Sequence, residues 1–360
     1  MKYIDEFKDR DLCLFLVKEM ESLVGASEVS IMEVCGTHTM AISRGGLRSL
    51  LPPSLRLLSG PGCPVCVTPT AYLDKAIALS AREEVVVATF GDMMRVPGSH
   101  SSLERQRAAG KRIAVVYSPL EAIDIAENNP GKKVIFLAVG FETTSPTVAV
   151  TAIEAKRRGM TNFYLFSGHK RIPPALASLA RDGDLQVDGF ILPGHVSAII
   201  GVKPYIFLAR EYGLPSVICG FEPLDILQGI CMILRQLKEG RADVENQYRR
   251  VVKEGGNAEA MALLNRVFGE TDSEWRGLGA IEKSGYALRR EYEELDANQV
   301  FSVGETASVE TDGCLCGEIL KGLKIPNQCP HFGEDCVPSS PLGPCMVSSE
   351  GTCAAYYKYG

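Results

Sequence analysis

Apolar residues along this chain come in short runs, most closed by a glycine-rich turn. The runs are VSIMEVCGTHT, RLLSGPGC, EVVVATFGD, RIAVVYSP, KVIFLAVGFETT, NFYLFSGHK, VDGFILPGH and PSVICGFEP. Each is short, β-branched and apolar on both faces, as buried parallel strands are. Apolar positions at helical spacing lie at 11–24 and then between the runs, at 70–82, 119–128, 146–159 and 173–182. Strand alternating with helix predicts βαβ units and doubly wound sheets. From about 224 to 300 the spacing is helical and more charged, including AEAMALLNRVF and IEKSGYALRREYEEL. The expected fold is α/β: two similar doubly wound parallel-sheet domains, plus a Cys-rich domain with helices. The expected borders are 1–129, 130–235 and 236–360, with exchange of segments between the first two allowed.

Several runs place a polar residue one or two positions after a strand-ending glycine, namely Asp92, Glu142, His195 and Glu222. Ligands of open α/β sheets bind beyond the carboxyl ends of the strands, although an acid there also serves as an ordinary helix cap.

Composition narrows the function. The chain has 360 residues, 46% hydrophobic and 23% charged, and a net charge of -6. That is globular usage without the basic stripe a nucleic-acid partner needs. The opening MKYIDEFKDRD lacks the apolar core of a signal peptide, and no apolar run reaches the ~18 residues of a membrane span. A cytoplasmic protein is expected, without nucleic-acid or membrane partners. Twelve cysteines in a reducing compartment point to metal or redox chemistry rather than a disulfide framework. Cys13, Cys219 and Cys231 sit in apolar surroundings and are expected in the core.

The other nine cysteines carry the chemistry. Cys314, Cys316, Cys329, Cys336, Cys345 and Cys353 lie in a tail rich in Gly and Pro that needs a staple to hold it. Its spacing departs from zinc knuckles. Thiolates spread through loops suit an iron–sulfur cluster better, with zinc and disulfides or free thiols as the competing readings. Cys35 and His38, three apart on a strand-end loop, could chelate a soft or borderline metal, or serve only packing or capping. Cys63 and Cys66 form a C-x-x-C, open to reading as half a zinc site or as a redox pair. Thr68 and Pro69 look like the N-cap and first residue of the following helix, whose positive end would favour the Cys66 thiolate. Gly60 and Gly62 allow close backbone approach.

Together CGTHT (35–39), GPGCPVC (60–66), GFETT (140–144), SGHK (167–170), LPGHVSAIIG (192–201), CGFEPLDIL (219–227) and the tail GPCMVSSEGTCAAYYKYG resemble the HypD family of hydrogenase maturation factors. The resemblance runs from about residue 30 to the C-terminus. It implies a scaffold on which the Fe(CN)2CO group of [NiFe]-hydrogenases is assembled. The implied partners are HypC, which shares the iron, and HypE, the cyanide donor, with HypF acting upstream through HypE. It further implies that Cys35 holds the iron with help from His38, and that Cys63 and Cys66 are a dithiol. Thr37, Gly60, Gly62, Glu142, His195 and Glu222 would lie around the group. A [4Fe–4S] cluster would be held by Cys314, Cys329, Cys336 and Cys353, with Cys316 and Cys345 as a redox pair beside it. The alternative function is a free-standing iron–sulfur thiol-disulfide oxidoreductase.

Overall fold

A computed structural model describes residues 9–25, 27–183, 185–302 and 308–360. Residues 1–8 of the charged opening segment lie outside them. Eleven strands are described, in three sheets. The first sheet contains β1 (Val29–Glu33), β2 (Leu55–Ser59), β7 (Gly189–Pro193), β8 (Ser216–Cys219) and β9 (Val244–Asn246), all parallel, in the order β2-β1-β7-β8-β9. The second contains β3 (Val85–Thr89), β4 (Ile113–Val115), β5 (Lys133–Ala138) and β6 (Phe163–Ser167), also parallel, in the order β4-β3-β5-β6.

The runs are apolar on both faces because both faces are covered. β3 and β7 are buried at every residue. Strand membership crosses the expected border at 129/130: residues 85–167 build the second sheet, while 29–59 and 189–246 build the first. Each sheet has a point where strand order reverses, between β1 and β7 and between β3 and β5. Such points open a crevice at the carboxyl edge. The segments leaving β1 and β7 carry Cys35, His38 and His195.

Expected helices appear at Arg10–Val24, Thr70–Ser80, Pro119–Glu127, Ser145–Arg157, Ile172–Arg181 and Ala258–Val267. Cys219 and Cys231 are buried in an apolar cluster with Leu16 and Met20, and Cys13 packs against it.

The charged region departs from the helical reading in two places. The helix Pro223–Lys238 stops at Gly240, which takes φ 63°, and the chain turns back to add β9. Residues 268–288 form an antiparallel hairpin of β10 (Phe268–Trp275) and β11 (Gly279–Leu288). FGETDSEW alternates between covered and exposed positions, the period of a strand with one wet face. Gly277 and Gly279, at φ 79° and 73°, supply the left-handed turn. Trp275, 1% exposed, anchors the hairpin by stacking on Phe141 and donating to Ser284 Oγ at 2.9 Å. No helix among the described residues is long and apolar enough to cross a membrane.

Candidate functional site

The site begins at the end of β1. Glu33, its last residue, is fully buried, accepts from the Cys35 amide at 3.1 Å and from Thr39 Oγ1 at 2.5 Å, and so clamps the turn of CGTHT. Burial pushes its carboxyl up to about 7, against the pull of the bonds from Thr39, Ser59 and Cys35.

The loop expected at CGTHT is instead a helix start. Cys35 is the N-cap of the helix Gly36–Arg44, and His38 stands in its first turn. Glu33 and the Thr39 N–H bond back to the Cys35 carbonyl close that turn. The Cys35 thiol is buried and pushed up to about 12, chiefly by desolvation.

His38 is fully buried and its Nε2 donates to the Gly220 carbonyl at 2.9 Å. A carbonyl only accepts, so the proton sits on Nε2 and Nδ1 carries a free lone pair. That Nδ1 has no partner. Burial holds the ring neutral, down to about 4. Phe221 lies between the rings of His38 (4.7 Å) and His195 (4.0 Å), bringing the segments after β1, β7 and β8 together.

GPGCPVC reaches Cys35 through backbone contact. The Gly36 amide donates to Gly62 O at 2.9 Å and Gly60 N to Glu33 O at 2.8 Å. A methyl group on Gly62 would stand 2.1 Å from the Cys35 nitrogen. The glycines therefore press the C-x-x-C turn onto the Cys35 turn. Cys63 and Cys66 are buried, and the Cys66 amide donates to Cys63 Sγ at 3.3 Å.

The helix after this motif starts one residue later than expected. Thr70 is its first residue, and Thr68 Oγ1 donates to Pro64 O at 2.8 Å instead of capping. Cys66 owes its perturbation to other groups. Burial pushes it up, but hydrogen bonds from the Cys345 and Cys63 thiols outweigh that and bring it below the usual thiol range, with Arg276 adding positive charge. Burial and the bond to Cys66 push Cys63 the other way.

Cys345 is where the tail meets this motif. It contacts Cys66, Cys316 and Cys353, and its Sγ is 2.6 Å from that of Cys316. The chain Cys63–Cys66–Cys345–Cys316 is thus a continuous file of thiols.

Cys314, Cys316, Cys329, Cys336, Cys345 and Cys353 line a single pocket with apolar walls from Ile319, Phe332 and Met346. Among the described residues no three His, Cys, Asp or Glu side chains converge as on a single metal ion. A cubane's ligands stand apart at separate corners, so thiols round a cavity are a fitting donor set for it. Cys345 touches both Cys316 and Cys353 within this group. Gly343 keeps the cage tight, since a methyl group there would stand 2.9 Å from Cys314 Sγ.

Sequence reading missed four contributors. Besides Glu33 these are Glu350, Arg276 and Phe221. Glu350 accepts from Thr37 Oγ1 at 2.6 Å and its charge is felt by Cys35, Cys63, Cys66 and His195. Arg276 is buried, donates to Thr68 O at 3.1 Å and pairs with Glu310 at 2.8 Å. The hairpin signal around Gly277 and Gly279 would have located Arg276; a lone Glu in a Cys-rich tail carries no such mark.

Other expected residues hold turns. Glu142 Oε1 accepts from the Ile172 amide at 3.0 Å, leaving Oε2 unpaired, and burial pushes its carboxyl up to about 7. Glu222 caps the helix Pro223–Lys238. Asp92 accepts from Ser348 Oγ at 2.7 Å, tying β3 to the tail.

A family model described as "HypD: Hydrogenase formation hypA family" matches residues 11–360. The chain is 47% identical to the hydrogenase maturation factor HypD of Rhodobacter capsulatus, covering 100% of this chain and 98% of that protein. It is 48% identical to the hydrogenase expression/formation protein HupD of Azotobacter chroococcum mcd 1 (100% and 97%). Against HypD of Escherichia coli K12 the identity is 43% (100% and 98%). Among solved structures, D-threo-3-hydroxyaspartate dehydratase from Delftia sp. HT23 matches at 14% identity over 66% of this chain and 58% of its own. Its TM-score of 0.17 carries no argument.

Proposed function

The chain belongs to the HypD family of hydrogenase maturation factors, and from that premise we propose that it is the scaffold on which the Fe(CN)2CO group is assembled, with HypC sharing the iron and HypE, charged through HypF, supplying cyanide. The observation that carries the reading is the unbroken file of thiols from Cys63 and Cys66 to Cys345 and Cys316, beside Cys35 and the free Nδ1 of His38.

The iron is cargo. Cys35 would bind it as thiolate, the proton leaving as the metal arrives, because a thiol held at about 12 stays protonated until a cation meets it. His38 Nδ1 is free to ligate or to take that proton. Phe221 and the buried walls keep water away from the site.

Cyanide release from a thiocyanate, R–S–CN, balances with the dithiol. The Cys66 thiolate attacks the donor sulfur, the S–CN bond breaks, and cyanide leaves to the iron. The Cys63 thiol then attacks the mixed disulfide. The donor departs as R–SH, taking the proton from Cys63, and Cys63–Cys66 is oxidised to a disulfide. Cys345, in contact with Cys66, returns the pair to thiols by exchange and ends oxidised with Cys316. The tail thiols Cys314, Cys329, Cys336 and Cys353 would hold the [4Fe–4S] cluster, which supplies single electrons to that second pair.

Infrared spectroscopy of the complex with a HypC-type partner tests the proposal. The wild-type complex is expected to show Fe–CN and Fe–CO stretches, and Cys35→Ala to lose them. Retention of the bands in Cys35→Ala would remove Cys35 from the iron.

A further inference from the structure

The second sheet has a cleft that the thiol chemistry does not use. β6 ends at Ser167 and the chain turns through Gly168 and His169 to Lys170. That is the carboxyl edge of a doubly wound sheet, where ligands bind. Lys170 is only 4% exposed. Its ammonium donates to Ser273 Oγ, and no described carboxylate stands within 4 Å of Nζ. An ammonium has three donors, so two are unmet beside Ser273. The acid whose charge it feels is Glu274, an exposed residue lining the cleft. Burial without a close counter-charge draws its pKa down to about 8, so it remains mostly charged at neutral pH.

This cation faces a cavity of about 200 Å³. Ala71 and Lys75, one turn apart on the helix Thr70–Ser80, line it. The N-cap of that helix is Pro69, which offers no side-chain acceptor, and its carbonyl takes the Tyr72 amide at 3.1 Å, so the Thr70 and Ala71 amides are the ones left to a ligand. Tyr72, from the same helix, and Phe166 also line it, stacked with ring centroids 4.4 Å apart. The Tyr72 hydroxyl is taken by Phe166 O at 2.8 Å, leaving an apolar face.

We propose that this cavity binds a small oxyanion, a carboxylate or a phosphate, with Lys170 as its counter-ion, the amides at the start of the helix Thr70–Ser80 as further donors, and the Tyr72–Phe166 face against its apolar part. Neither the iron site nor the cysteine cage takes part. The cavity shares Thr68 with the turn that carries Cys66, where Thr68 Oγ1 donates to Pro64 O at 2.8 Å.

The test uses the full-length, anaerobically purified protein. Sodium acetate and inorganic phosphate are titrated separately by calorimetry in a buffer free of other oxyanions. Saturable binding of at least one is expected, weakened about tenfold or more by Lys170→Met and unchanged by Lys203→Met, an exposed lysine elsewhere. Binding of acetate alone assigns a carboxylate ligand, and of phosphate alone a phosphate. Absence of saturable binding by both, or binding indifferent to Lys170→Met, overturns the proposal. Ala71→Glu guards against a misfolded Lys170 variant. It supplies the counter-ion from within, so it should abolish anion binding and raise the melting temperature. That rise should vanish in the Lys170→Met background. Retained anion binding in Ala71→Glu also overturns the proposal.

Discussion

Replacing Gly62 with alanine tests whether backbone contact is what joins the two cysteine motifs. The added methyl would lie 2.1 Å from Cys35 N, 2.4 Å from Cys35 Cα and 2.5 Å from the Val34 carbonyl carbon. All three are backbone atoms, so no side-chain rotation relieves the clash. To bring the 2.1 Å contact out to an ordinary 3.4 Å the 60–66 turn and the end of β1 must part by about 1.3 Å, breaking the 2.9 Å bond from Gly36 N to Gly62 O. Overpacking of this kind costs about 1–3 kcal/mol, and a lost buried hydrogen bond about 1 kcal/mol more. Against a total stability of about 5–15 kcal/mol the protein still folds. The functional loss should be the larger effect, because displacement of a reacting group by about 1 Å can cost 10²-fold in rate. Urea melts should show a lower midpoint with an unchanged slope. Fe–CN bands in the HypC-type complex should fall far more than the folded fraction does. Gly131→Ala is the control, since its methyl meets nothing within 4 Å. Wild-type stability and wild-type bands in Gly62→Ala would refute the reasoning outright.

Buried titrating groups make stability depend on pH in opposite senses. Glu33 and Glu142 rise from 4.5 to about 7 on folding, so the folded state keeps protons the unfolded chain has lost, and stability falls as pH rises from 4.5 towards 7. His38 and His169 drop from 6.5 to about 4 and about 3, so their contribution is lost as pH falls below 6.5. Between pH 4.5 and 6.5 the two pairs nearly cancel. Glu33→Gln should unmask the imbalance, its stability gaining on wild type by about 1.4 kcal/mol per pH unit; parallel profiles in urea melts at pH 5 and 6.5 would contradict this. Serine at Cys314, Cys329, Cys336 or Cys353 should strip iron and the brown colour, whereas Cys316→Ser and Cys345→Ser should keep both; iron assay and absorbance decide. Trp275→Ala should cost about 3–5 kcal/mol, read as a shift of the chemical midpoint by circular dichroism, because the ring is buried and its Nε1 bonded.

Much of this molecule is visible in its local pattern. Runs such as EVVVATFGD and VDGFILPGH contain both the strand and its end, since a strand buried on both faces must be apolar throughout and must stop where glycine turns it. The candidate site at Cys35, Cys63 and Cys66 is visible for the same reason: thiols stand where an α/β sheet presents its ligands. The hairpin at 268–288 was harder to see. Its charged, one-sided alternation imitates a solvated helix until Gly277 and Gly279 are given weight, and tertiary packing of Trp275 overrides the local preference.

What local pattern cannot contain is which distant segments meet. Interruption of the first sheet by residues 85–167 brings the turn after β1 beside that after β7. Thr37 and Glu350 lie 313 positions apart yet share a hydrogen bond, and Cys66 meets Cys345 across a similar gap. Contacts of that separation follow from how layers stack and where strand order reverses. Loop-closure entropy rises only slowly with length, so the chain leaves no local mark of the choice. Residue types and spacing thus defined the reactive groups and the kind of strand end that bears them. Packing alone aligned the thiols in one file and left Lys170 buried without a close counter-charge.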